Sequence, residues 1–151
     1  MAGQVSLGPL HHYRLTVSNL ERSTRFYTDV LGFELVIDGP PPADHPEHDL
    51  MVESLQGGVV LMNQGMLMGL RPVDDERKRT GDRFDPFRVG LDHLSFGADR
   101  RADLERTIGV LDRLGIDHGT INDVSFYGLC FLAFKDPDGI QLELTAPMDK
   151  E

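Results

Sequence analysis

The chain has 151 residues, a net charge of −10, 40% hydrophobic and 26% charged residues, one cysteine and no tryptophan. A chain of this size folds as one compact unit that buries roughly two-thirds of its extended surface. Its acid excess argues against nucleic-acid and anionic-membrane binding, both of which need basic patches. The lone Cys130 cannot close an internal disulfide and fits a reducing cytoplasm. No apolar run approaches the roughly 18 residues of a membrane span. MAGQVSLGPLHH has neither the basic start nor the apolar core of a signal peptide. The sequence therefore reads as a soluble, cytoplasmic protein.

In HHYRLTV (11–17), Tyr13, Leu15 and Val17 alternate with His12, Arg14 and Thr16, which is a strand with one buried face. Asn19 is an N-cap for LERSTRFYTDVL, and Gly32 closes that helix. FELVID reads as a second strand, the proline-rich GPPPADHPEHD (39–49) as a stiff loop, and LMVESLQ and VVLMNQ as third and fourth strands around a Gly57-Gly58 turn. The polar stretch from Asn63 to Gly90 is expected to link two halves, with a short strand at its apolar start.

The order then repeats. LDHLSFGA (91–98) alternates, with His93, Ser95 and Gly97 on one face. Asp99 is the expected cap of ADLERTIGVLDRL, whose buried stripe is Ala102, Leu104, Ile108, Leu111 and Leu114, and Gly115 ends it in LGI as Gly32 ends the first helix in LGF. IDHGT is a short strand, INDVSFYG a loop, LCFLAFK a strand, DPDG a turn and IQLELT a strand in which Gln141, Glu143 and Thr145 share a face. His12 and His93 lie 81 residues apart, and Gly32 and Gly115 lie 83 apart. Each half is thus β-α-β-β-β, opening on a strand histidine, and such a duplication outranks any single motif. Equivalent strands meeting about a pseudo-two-fold axis bring the faces of His12, His93 and Glu143 to one cavity. Two imidazoles and a carboxylate suit a borderline divalent metal with coordination positions left open. Two unrelated strand histidines are the competing reading.

HHYRLTVSNLERSTRFYTDVLGFEL, GLDHLSFGAD and FKDPDGIQLELTAP resemble the vicinal oxygen chelate superfamily, which holds glyoxalase I, extradiol dioxygenases, fosfomycin-resistance transferases and bleomycin-binding proteins. The resemblance implies an α+β fold of two βαβββ modules in a cupped, open barrel around one metal, here residues 8–66 and 88–147 joined by a linker over 67–87 within a single domain spanning 1–151. It implies His12, His93 and Glu143 as ligands of a divalent ion, whether iron, manganese, zinc, nickel or cobalt, with His11 facing away. It also implies a homodimer, with the site inside one chain or shared between two, and a small oxygen-chelating molecule as substrate.

Glyoxalase I carries a fourth, carboxylate ligand on its first module's last strand; matching Gly58 to Gly139 sets Met62 there. Extradiol dioxygenases and fosfomycin transferases carry a tyrosine ten residues before the glutamate, where this chain has Ala133. Tyr127, in the preceding loop, is a weaker acid–base candidate, and Arg14, on the His12 face, a weaker substrate anchor that an internal salt bridge explains equally well. Loop histidines His45 and His48, His118 and the methionines Met51, Met62, Met66 and Met68 have ordinary structural explanations. The leading expectation is a metal-dependent lyase, isomerase or dioxygenase. The alternative is a metal-free protein that sequesters an antibiotic or metabolite.

Overall fold

In a computed structural model the chain is described over residues 8–148, so the first seven residues of the stretch read as lacking a signal peptide lie outside it. The chain divides into two compact units, Met1–Gly81 and Asp82–Glu151. No helix among the described residues is long and apolar enough to cross a membrane.

The first unit opens with β1 (His12–Val17), where buried Leu15 and Val17 alternate with exposed His12, Arg14 and Thr16. Asn19 caps α1 (Leu20–Arg25), its side-chain oxygen accepting the Arg22 N–H at 2.9 Å. The helix continues as a π-helical turn, Phe26–Val30, which buries two successive aromatics, Phe26 and Tyr27; Tyr27 packs edge-on against Phe33. After β2 (Glu34–Ile37), the proline loop leads into α2 (His48–Leu55). The strand expected from LMVESLQ is therefore a helix. Asp49 sits in its first turn, where a carboxylate complements the helix dipole, and Gln56 and Gly57, both at positive φ, end it.

β3 (Val59–Asn63) and β4 (Met66–Pro72) form a hairpin across Gln64 and Gly65, whose φ values of 47° and 83° belong to a two-residue turn of the type that suits strand twist. Residues expected to begin the linker thus form a seven-residue strand. β4 is central: the sheet order is β1-β4-β3-β2, with β4 parallel to β1 and antiparallel to β3. Gly58 permits this hairpin to sit against α2, because a Cβ there would lie 2.1 Å from the Leu70 carbonyl oxygen and 2.9 Å from that of Leu55. A short exposed helix, α3 (Asp75–Thr80), capped by Asp74, closes the unit.

The second unit repeats the plan with β5 (His93–Gly97), α4 (Arg101–Leu114), β6 (Asn122–Val124), β7 (Leu129–Lys135) and β8 (Gln141–Pro147), in sheet order β5-β8-β7-β6. Arg100, one residue after the expected Asp99, is the N-cap of α4, and the Asp103 carboxylate accepts its backbone N–H. Leu104 and Leu111 are fully buried, whereas Leu114, expected in the stripe, is 55% exposed at the helix end. β6 falls in the stretch read as a loop, and His118 makes only an isolated bridge to Phe134. Asp136 organises the turn before β8: its buried carboxylate accepts the N–H groups of Asp138 and Ile140 at 2.9 and 2.8 Å. Both units are βαβββ modules, and the fold is α+β.

Candidate metal centre

In the second unit the parallel pairing of β5 and β8 sets His93 beside Gln141 and Ser95 beside Glu143. Paired residues share a face, so His93 stands one diagonal step from Glu143 on the same side of the sheet. Ala133 of β7 lies directly across from Glu143, which places it where a tyrosine would reach the carboxylate; alanine offers no proton there.

One atom of each second-unit ligand candidate is engaged by a neighbouring side chain. Ser95 Oγ and Thr145 Oγ1 lie 2.9 and 3.0 Å from Glu143 Oε1, and 2.7 Å from one another. Two hydroxyls carry two protons for three contacts. Either both donate to Oε1, or one donates to it and the other passes its proton to its neighbour. Glu143 Oε2 has no hydrogen-bond partner among the described residues. His93 is 39% exposed and its Nδ1 lies 2.5 Å from Asp92 Oδ1, so the carboxylate accepts an Nδ1–H, and Nε2 has no hydrogen-bond partner among the described residues.

In the first unit, His12 is exposed on β1 and its Nδ1 lies 2.9 Å from Nδ1 of His11, the rings meeting edge-on. His11 was expected to face away; it is instead the immediate partner of His12, and Nε2 of His12 is the nitrogen left to other ligands. The register sets Arg14 beside Gly69. By equivalence of β1 with β5 and β4 with β8, Gly69, not Met62, occupies the first module's counterpart of Glu143. Met62 lies on β3, the counterpart of β7. The outcome for chemistry is unchanged, since neither residue is a carboxylate. A Cβ at Gly69 would lie 2.8 Å from Arg14 Cγ, so glycine makes room for the arginine.

Arg14 spends two donors on the end of α2, NH1 to the Ser54 carbonyl at 2.8 Å and NH2 to that of Leu55 at 3.0 Å. Arg71 grips the same end, with Nε on Thr16 Oγ1 at 3.0 Å and NH1 on Gln56 Oε1. The structure thus gives Arg14 a role as a helix clamp. Tyr127, on the 3-10 turn Ser125–Tyr127, is 72% exposed and stacks edge-on against Phe126. Tyr13, on the opposite face of β1 from His12, has a buried hydroxyl without a partner among the described residues, and burial pushes its pKa up to about 12. His118 donates to the Gly119 carbonyl and to Asp112, which together raise its pKa. His45 and His48 make local contacts within the proline loop, with the Glu47 N–H and the Pro41 carbonyl. Among the described residues, no three His, Cys, Asp or Glu side chains gather into an ion-holding cluster.

The paired βαβββ units define a chain built by module duplication, with ligand-type side chains on matched strands. A profile of the glyoxalase/bleomycin resistance protein/dioxygenase superfamily matches residues 9–144, and the chain belongs to that superfamily. It is 28% identical over 141 residues to the Escherichia coli (strain K12) protein YaeR, covering 93% of this chain and 97% of that one. A glyoxylase/bleomycin resistance protein/dioxygenase domain from Frankia sp. EAN1pec superposes with a TM-score of 0.73 at 27% identity, covering 97% and 96% of the two chains. The fosfomycin resistance protein FosX of Listeria monocytogenes shares the fold, with a TM-score of 0.66 at 16% identity over 93% and 94% of the chains.

Proposed function

We propose that this protein is a metal-dependent enzyme acting on a small substrate that chelates through two oxygens, with His12, His93 and Glu143 as the protein ligands. The observation that carries this reading is the pairing of β5 with β8, which sets His93 and Glu143 on one face with Nε2 and Oε2 unengaged. Two imidazoles and one carboxylate fit a borderline divalent ion. Three protein donors leave positions for a bidentate substrate.

When bound, the ion supplies Lewis-acid polarisation of the chelated oxygens and stabilises an oxyanion. This chain's residues hold and orient: Asp92 fixes the His93 tautomer, and Ser95 with Thr145 fixes the Glu143 carboxylate. Gly69 and Ala133 withhold the two acid–base groups that relatives place beside the ligands. The proposed chemistry is of a lyase or isomerase type with a redox-inert ion, or of a dioxygenase type with ferrous iron, with its acid–base group at neither of these two positions. A FosX variant from Listeria monocytogenes, of the same fold, is described in complex with Mn(II) and a dihydroxypropylphosphonic acid, which puts manganese among the first ions to test.

Metal content of protein purified without chelator or histidine tag tests the proposal. One ion per site, lost in His93→Ala and in Glu143→Ala, supports it. No ion, even after reconstitution with iron, manganese, zinc, nickel or cobalt, refutes it and leaves a metal-free sequestering protein.

A further inference from the structure

We infer that Ser95 and Thr145 are positioning residues that hold Glu143 as a one-oxygen metal ligand, while Asp92 holds His93 by Nδ1, so that the second module is a preorganised half-site. This rests on the metal-site reading above and adds to it the groups that set the geometry. Three features support it. Both hydroxyls converge on the same carboxylate oxygen, Oε1, at 2.9 and 3.0 Å, and not one on each. They also touch each other at 2.7 Å, so the pair forms a closed triangle with Oε1 that a freely rotating carboxylate would not maintain. All three residues are fixed by the sheet: Ser95 is the register partner of Glu143, and Thr145 lies two residues further along β8 on the same face.

The consequence concerns coordination number. A carboxylate binding through both oxygens takes two positions on an ion; one whose Oε1 accepts from both hydroxyls has that oxygen's two lone pairs engaged and offers Oε2. Three single-atom ligands then leave adjacent positions free, which a substrate chelating through two oxygens requires. On the His93 side, the Asp92 carboxylate on Nδ1 commits the ring to presenting Nε2 and raises its donor strength. Partners of this outer kind cost about 10–100-fold in metal affinity when removed.

The test is Mn(II) affinity, followed by electron paramagnetic resonance of the free ion, in wild type, the Ser95→Ala/Thr145→Val double variant, Thr145→Ser, Asp92→Asn and Glu143→Ala. The double variant keeps the shape of the face and loses both hydroxyls. It is expected to bind about 10–100-fold more weakly, with the metal-free unfolding midpoint held close to wild type. Thr145→Ser, which keeps the hydroxyl, is expected to bind like wild type, and Asp92→Asn to weaken binding. A purely structural role would lower the unfolding midpoint of the metal-free protein and leave affinity alone, which overturns the inference. Loss of binding in Glu143→Ala with wild-type affinity in the double variant also overturns it while the metal-site reading stands. Failure of wild type to bind Mn(II), zinc, nickel, cobalt or ferrous iron overturns both.

Discussion

Replacing Arg14 by methionine removes the two N–H···O=C bonds that tie the end of α2 to β1, 2.8 Å to Ser54 and 3.0 Å to Leu55. A buried hydrogen bond from a charged donor contributes about 1.5–3 kcal/mol. Arg14 is exposed, so water competes, and charge effects at such positions are nearer 0–1 kcal/mol. The pair together is therefore worth about 1–2 kcal/mol to the docking of α2, a factor of about 5–30 in its opening equilibrium. Amide hydrogen exchange reads this directly, because the Gln56 and Gly58 N–H groups close the helix end on Val52 and Leu55. Both are expected to exchange faster by that factor in Arg14→Met. Arg14→Lys is expected to recover only part, since an ammonium lacks the planar donor fork. Gly69→Ala is expected to mimic the loss, because its Cβ would press on Arg14 Cγ at 2.8 Å. Unchanged exchange at Gln56 and Gly58 in Arg14→Met would refute the clamp and return the guanidinium to the substrate.

Three further outcomes follow from the packing and titration of named groups. Tyr13→Phe removes a buried hydroxyl that has no partner among the described residues. An unsatisfied group of this kind costs about 1–3 kcal/mol, so calorimetry is expected to show a raised Tm; a lowered one means the hydroxyl is bonded. Gly58→Ala sets a Cβ against backbone oxygens at 2.1 and 2.9 Å, and denaturant unfolding is expected to show a loss of about 1–3 kcal/mol. His118 has a pKa raised above 6.5 by the Gly119 carbonyl and Asp112. Its protonated form is the bonded one, so its contribution is full below pH 6.5 and is lost as pH rises through the raised folded value. His118→Gln should flatten the pH dependence of the denaturation midpoint across that window, and an unaltered profile would remove His118 as its source.

Where hydrophobic period and punctuation agreed, the sequence disclosed the structure. β1, β5, β7 and β8 alternate cleanly, Asn19 caps α1, and Gly32 and Gly115 end matched helices at positive φ. The misplacements have one origin. Gln64-Gly65 turns the β3–β4 hairpin without the usual asparagine or aspartate, so no local signal gives β4 its full length, and the short apolar run LMVESLQ fits strand and helix alike. That displaced the match for Glu143 from Gly69 to Met62. That Glu143 and Thr145 share one face, as do His93 and Ser95, was legible from period-2 parity alone. Which residues pair across β5 and β8, and that both hydroxyls select one carboxylate oxygen, depends on register, which no local pattern states. The His11–His12 contact depends on side-chain rotation at the strand's first residue and was equally hidden.

The central proposal is that His12, His93 and Glu143 are all ligands of a divalent ion. Mn(II) titration of His12→Ala, His93→Ala and Glu143→Ala beside wild type tests it most directly. The account predicts that each substitution alone weakens binding severely, His12→Ala as much as the two from the second module. Binding lost in His93→Ala and Glu143→Ala but unchanged in His12→Ala would contradict it.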